Sequence, residues 1–311
     1  MGFDSANMTK QVTLFERSTP WIFVGLWSTG FVVARYSTRH AAPLAFLTVR
    51  MLCAAVLLYV IALFIKAPRL PKSSWSTSAI VGVCMHAVYL GGVFVAIERG
   101  LPSGLSALIA GLHPVITSVA GRFILKEKLR RSQWAGVLLG VTGVVVVVID
   151  KFRDGVGDVT RPALVAMVVS VVGMSTGTLV QRSRGKEMPL ITGTAAQYVS
   201  SGAVLLIASS LFETWEFHIN REMIFALLWS VLVLSLSAVM LMMLLISRHS
   251  AARVSSLFFL TPALSAIESA ILFGERLSRL ALVALVVALS GVWLTMRNPV
   301  TPVSPRELIA D

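Results

Sequence analysis

The sequence predicts an all-α integral membrane protein: ten transmembrane helices arranged as two inverted five-helix repeats. Three observations lead to that class. The chain is 56% hydrophobic and 14% charged, with a mean hydropathy of +0.82, far from ordinary globular usage. Apolar runs of about 18 residues or more recur along its length, each able to cross roughly 30 Å of hydrocarbon. The sequence also matches itself at an offset of about 147 residues. Ser28-Thr29-Gly30 falls on Ser175-Thr176-Gly177, Val33 on Val180 and Arg35 on Arg182. After one residue of slippage, Leu112 and Pro114 fall on Leu260 and Pro262, Glu127-Lys128-Leu129 on Glu275-Arg276-Leu277, and Gly143-Val144 on Gly291-Val292. An odd number of spans per unit makes the second copy enter the membrane upside down relative to the first.

The elements follow in order. Residues 1–19 form a polar N-terminal tail, assigned to the cytoplasm, with no cleavable signal. The first repeat, 20–150, holds spans near 20–37, 43–65, 75–97, 102–124 and 132–150. The second, 161–296, holds spans near 161–181, 188–212, 223–247, 252–273 and 278–296, and residues 297–311 form a cytoplasmic C-terminal tail. Trp21, Trp75, Trp134, Trp215 and Trp293 fall near span ends, as an interfacial aromatic belt requires, whereas Trp27 and Trp229 lie deeper.

Span 2 opens at Pro43 and carries Arg50 roughly 10 Å below its outer end. A charge inside a span costs about 2.5–3.5 kcal/mol on insertion scales, so it is usually paired or functional. Arg50 therefore reads either as an anchor for a carboxylate or other anion, or as half of a salt bridge with Glu268 or Glu98. Its repeat mate is Gln197, which keeps donors but no charge. Span 3 carries His86, with Tyr89 one turn on and on the same face. His113 lies in span 4. Both histidines are candidates for proton coupling or substrate hydrogen bonding; the alternative for each is a neutral ring bonded to a nearby carbonyl. Pro114 and its mate Pro262 each remove a backbone hydrogen bond, marking matched helix-break candidates in spans 4 and 9. Gly136, Gly140 and Gly143 give span 5 a small-residue face. Glu268 is the acid of span 9, readable as a proton acceptor, a substrate counter-charge or a pairing partner.

Several classes of function are excluded or disfavoured. The longest polar stretches, near 150–160 and 213–222, are too short to fold as catalytic domains. The net charge of +12 follows the positive-inside bias, clearest at Lys126, Lys128, Arg130 and Arg131, rather than marking a nucleic-acid site. The loop with Lys151, Arg153 and Arg161 is basic yet falls outside; Asp150, Asp154 and Asp158 neutralise it. Cys53 and Cys84 lie in apolar spans as small core residues, without a disulfide or metal pattern. There is no Walker A sequence and no H-E-x-x-H motif, and no cofactor is expected. Gly173-Met174-Ser175-Thr176-Gly177 fits the loose G-x-S-x-G nucleophile pattern, but its Ser-Thr-Gly recurs at 28–30, so helix packing explains it better.

Taken together, Pro20-Trp21 and Trp27, Pro43 through Arg50, Pro114 followed by Lys126-Glu127-Lys128-Leu129, the glycine ladder of span 5, and Pro262 with Phe273-Gly274-Glu275-Arg276-Leu277 and Gly291 give a pattern over about residues 20–296. On that pattern the chain resembles the drug/metabolite transporter superfamily, in its ten-helix EamA-type members. The resemblance implies both termini in the cytoplasm of a bacterial inner membrane and a central cavity between the halves. It also implies export of small metabolites, often amino acids or toxic compounds, driven by an ion or substrate gradient. Spans 1–4 and 6–9 are expected to line the cavity and to work by alternating access, with spans 5 and 10 as supports. Glu268 departs from the family pattern, in which a small or apolar residue is more usual. The partners expected are the lipid bilayer and a small-molecule substrate, with proton coupling an option and the oligomeric state open. A zwitterionic amino acid suits a site with one base, one acid and aromatic surface. The alternatives are a broad-specificity drug exporter and, in another class, a membrane-embedded enzyme, which needs clustered acids near one face.

Overall fold

The computed structural model describes residues 5–124, 129–153, 160–185, 187–248, 260–275 and 278–296. Regular structure among the described residues is helical, apart from an isolated antiparallel bridge between Ala41 and Phe217. In chain order the helices are α1 (Ser5–Ser37), α2 (Pro43–Phe64), α3 (Lys72–Glu98), α4 (Ser103–Ile124), α5 (Arg131–Arg153), α6 (Arg161–Arg184) and α7 (Leu190–Phe212). Next comes α8, running from Arg221–Leu228 through Trp229–Ala238 to Val239–Arg248, then α9 (Leu260–Phe273) and α10 (Arg279–Met296). Seven of these, α2 to α8, contain stretches long and apolar enough to cross a membrane; Leu260–Phe273 and Leu282–Leu294 are shorter apolar helices. α1 starts upstream of the expected boundary and runs through Pro20. The Lys126-Glu127-Lys128 and Arg276-Leu277 motif residues, Asp154, Asp158, the start of span 9 and the tail 297–311 lie outside the described residues.

The outward faces are apolar. Val56, Val165, Val172, Ile207, Val283 and Val286 are all exposed, as helices solvated by lipid require. Cys53 belongs to this outer surface, not to the core expected for it. Facing sides are held together by small residues. A Cβ on Gly291 of α10 would run into Gly140 N and lie 2.6 Å from Gly136 O of α5. The small-residue ladder of span 5 thus joins helices within one chain. Elsewhere α2 packs along α7, α3 on α6, α1 on α8 and α9, and α4 on α9 and α6.

Helix N-termini expose N–H groups that need acceptors. α2 and α4 have no side-chain cap of their own. Each is capped across the molecule by an acid from the other half. Glu213, just past α7, accepts from Leu44 N at 3.0 Å and Ala45 N at 2.9 Å. Glu275, just past α9, accepts from Ser103 N at 3.0 Å, Ser103 Oγ at 2.9 Å and Gly104 N at 3.1 Å. A carboxylate there also complements the positive end of the helix dipole.

The break expected at Pro114 is present. α4 splits into Ser103–Ala110 and His113–Ile124. Proline at 114 offers no N–H to the carbonyl of Ala110, four residues back. The His113 ring fills that place: its Nδ1 lies 3.2 Å from Ala110 O. The turn before Pro262 lies outside the described residues, so the matching break in α9 is not seen.

Two tests follow from this packing. Gly291→Val forces α5 and α10 apart and is expected to destabilise the protein by about 1–3 kcal/mol. Gly25→Ala, where nothing lies within 4 Å, is expected to be near-neutral. Both are read by thermal unfolding in detergent. His113→Leu orphans the Ala110 carbonyl and is expected to cost about 1–3 kcal/mol. Adding Pro114→Ala to that variant supplies a backbone N–H and should recover most of the loss. A double variant no more stable than the single one would remove this role for His113.

Candidate functional site

A cavity of about 100 Å³ lies among the helices. α1, α2 and α3 supply most of its wall; α6, α7 and α8 add Met174, Tyr198, Leu234 and Val239. Contrary to expectation, the described residues of α4 and α9 form none of it. These two helices pack on each other, so closely that a Cβ on Gly111 would meet Pro262 Cγ at 2.7 Å. Pro262 therefore shapes a helix contact beside the site, and Pro114 the break within α4; neither lines the wall. α5 and α10 stand together outside it.

Two stretches of π-helix border the cavity: Val83–Val88 in α3 and Trp229–Ala238 in α8. Shifting the first by about 147 residues lands it inside the second. Such wider turns are frequent at functional sites. They bring Met85 and His86 to the wall from one side and Leu234 from the other. Periodicity of hydrophobic residues does not reveal them. The one local hint is the serine spacing in α8, where Ser235 Oγ donates to Ser230 O at 2.9 Å and Ser237 Oγ to Leu232 O at 2.8 Å, both five residues back.

Arg50 reaches the cavity from α2 and is buried, 6% exposed. Its Nε donates to Ser235 Oγ at 3.2 Å. Tyr198 OH donates to the carbonyl of the same serine at 3.1 Å. Neither acid considered as its partner meets it. Glu268 accepts from Ser28 Oγ at 2.6 Å, and its second oxygen is buried without a hydrogen-bond partner. Glu98 pairs with its neighbour Arg99 at 3.4 Å. The reason for the first correction is geometric: Glu268 sits on α9, which packs against α1 and away from the wall.

His86 and Tyr89 share the cavity face, as their spacing predicts. Gln197 stands behind His86. Its Oε1 can only accept, so the long 3.4 Å contact is made by the ring's Nε2–H. Gln197 Nε2 passes the chain on to Gln181 Oε1 at 3.3 Å. The His86 ring also meets the Tyr198 ring edge-on, with centroids 4.8 Å apart. His113 is not in the wall and serves the α4 break. The deep tryptophans are accounted for: Trp27 lines the cavity, and Trp229 Nε1 donates to Thr29 Oγ1 at 2.9 Å. Ser175 donates to the carbonyl of His113 at 3.2 Å, a packing contact between α6 and α4 and not a nucleophile with its base. Tyr198, Ser235 and Gln181 were not foreseen. Only Tyr198 had a signal, as the neighbour of Arg50's repeat mate.

Comparison with known proteins agrees with the helical fold. The model of the EamA-like transporter family matches residues 21–149 and again 161–297. A probable amino-acid metabolite efflux pump of Salmonella typhimurium is 22% identical over 284 residues, covering 88% of this chain and 92% of that protein. The inner membrane transporter YedA of Escherichia coli, itself uncharacterized, is 25% identical over 284 residues, covering 90% of each. One solved crystal structure superposes with a TM-score of 0.63 at 19% identity over 89% of this chain and 95% of its own, which shows a shared fold. With the two matched segments covering nearly all the described helices, the chain belongs to the EamA-like transporter family: it is a multi-pass inner-membrane transporter and not an enzyme.

Proposed function

We propose that this protein is a secondary transporter that exports small metabolites, amino-acid-related compounds first among them, across the cytoplasmic membrane by alternating access. The observation that carries the reading is a cavity with one buried arginine, walled by α1–α3 from the first matched segment and α6–α8 from the second. Equivalent helices of two repeats thus surround one site, as in transporters built from inverted repeats. The pairing of helices supports the same symmetry. Exchanging each helix for its repeat mate turns the α1–α8 contact into α6–α3 and α1–α9 into α6–α4, and leaves α2–α7, α4–α9 and α5–α10 unchanged. With five spans per repeat, such an exchange inverts the molecule, so one site has two equivalent exits.

The end bearing the α1–α2, α3–α4, α7–α8 and α9–α10 connections is tied across the halves. Glu213 and Glu275 cap helices there, His40 Nε2 meets Glu222 at 2.8 Å, and Arg39 lies 5.2 Å from the centre of the Phe273 ring. We assign this end to the outside, with both termini cytoplasmic, from the distribution of Lys and Arg. In alternating access these ties are the contacts that must break and re-form. Choosing amino-acid-related compounds first follows the name of the Salmonella relative. Glu268, apart from the cavity and bonded to Ser28, is our candidate for proton coupling.

Cells overproducing the protein should accumulate a specific small metabolite in the medium. Arg50→Ala at matched membrane expression should lower that accumulation at least tenfold. Equal accumulation in the variant would reduce Arg50 to a packing role, and accumulation equal to that of empty-vector cells would sink metabolite export. Glu268→Gln should remove the response of export to an imposed pH gradient without changing the compound released; an unchanged response assigns Glu268 to the α1–α9 contact alone.

A further inference from the structure

We infer, on the reading that the cavity is the transport site, that it selects an organic carboxylate with an apolar, preferably single-ring body and no ammonium group. The inference starts from charge. Arg50 is the fixed charge in the wall, it is more than nine-tenths buried, and no acid lines the cavity among the described residues. The two acids that could have neutralised it are bonded elsewhere, Glu268 to Ser28 and Glu98 to Arg99. A buried guanidinium without a counter-ion is costly, and a carboxylate is the ligand that matches its planar fork. Ser235 engages Nε at 3.2 Å and so orients the group. Among the described residues, that leaves the edge formed by the two terminal nitrogens to receive the ligand.

The rest of the wall specifies the body. Trp27, Phe31, Tyr89 and Phe94 present rings, and Met51, Met85 and Met174 present flexible thioethers. Aromatic surface with methionine accommodates apolar groups of varied shape. A volume of about 100 Å³ is of the order that admits a single ring.

The missing acid excludes the third feature. An amino acid bound through its carboxylate on Arg50 carries its ammonium one carbon away, in a low-dielectric cavity, with no carboxylate to receive it. Ring faces attract cations, but here the nearest charge is the guanidinium, and like charges repel strongly where water is scarce. The zwitterion expected from the residue types alone relied on Glu268, which the fold turns away from the wall.

Three probes with the same ring and chain separate the charges: 3-phenylpropanoate, phenylalanine and phenethylamine. Calorimetric titration of the purified full chain in detergent should show 3-phenylpropanoate binding at least tenfold tighter than phenylalanine, with phenethylamine weakest. Arg50→Gln should erase the preference, and Arg50→Lys, which keeps charge but not the fork, should reduce it several-fold. If Arg50→Gln does not yield a monodisperse protein, the wild-type ranking and Arg50→Lys decide. Phenylalanine or phenethylamine binding as tightly as the carboxylate, no binding of any probe, or a preference unaltered by both Arg50 variants would overturn the inference. Release of the same probes from loaded proteoliposomes, measured against protein-free vesicles, separates it from the transport reading. The binding order without release upholds the selectivity and overturns transport. Preferential release of phenylalanine upholds transport and overturns the selectivity.

Discussion

In an apolar slab every backbone and side-chain polar group must find its partner inside the protein, and the arrangement described here depends on that constraint. It decides what the unusual residues do. Pro114 takes away a donor and His113, the residue before it, replaces it with its ring. α2 and α4 begin without caps of their own, and acids from the other half supply them. Serines inside the helices bond back to carbonyls three, four or five residues away. Each contact relieves a local deficit, but those made across the halves also tie together segments far apart in sequence. Satisfying the backbone and joining the halves are here one task.

The cavity is where the repeat departs from its own symmetry. The walls come from equivalent helices, and both carry a π-helical stretch. Arginine stands at 50, while its mate at 197 is a glutamine turned toward His86 and Gln181. Two guanidinium groups facing each other across so small a space would repel, so a symmetric scaffold carries a single charge. The wider turns of the π-helix serve the same end in α8, where they set Ser235 to hold Arg50 and to receive the Tyr198 hydroxyl on its carbonyl.

The close glycine contacts assign rigidity. α5 and α10 meet backbone to backbone, with no room for a Cβ on Gly291, and such seams slide poorly. The walls carry seams of the same kind, since a Cβ on Gly92 of α3 would meet Ala166 O of α6 at 2.5 Å; only toward the cavity do longer side chains, Met, Tyr, Trp and Leu, project and repack more readily.

The helices were legible in the sequence because the requirement that sets them is local: a run of apolar residues long enough for the membrane, closed by proline, tryptophan or charge. Pro43, Arg161 and Phe212 fall at or next to the expected ends. The repeat was legible for the same reason, since each copy meets the same local requirements. Arg50, His86 and Tyr89 could be singled out as polar groups where polarity is costly, and they share the cavity wall. What their neighbours are was decided by tertiary structure. Glu268 and Arg50 are both charges inside predicted spans, yet position along a helix says nothing of rotation about it, and helix packing turns one toward Ser28 and the other into the cavity. Ser235 and Gln181 are ordinary polar residues in sequence; they acquire roles only where three helices converge. The sequence by itself determined which segments form apolar helices and which charges must be accounted for, because transfer from water acts on each segment alone. Which charge faces the cavity without a counter-ion was settled only by the way the helices pack.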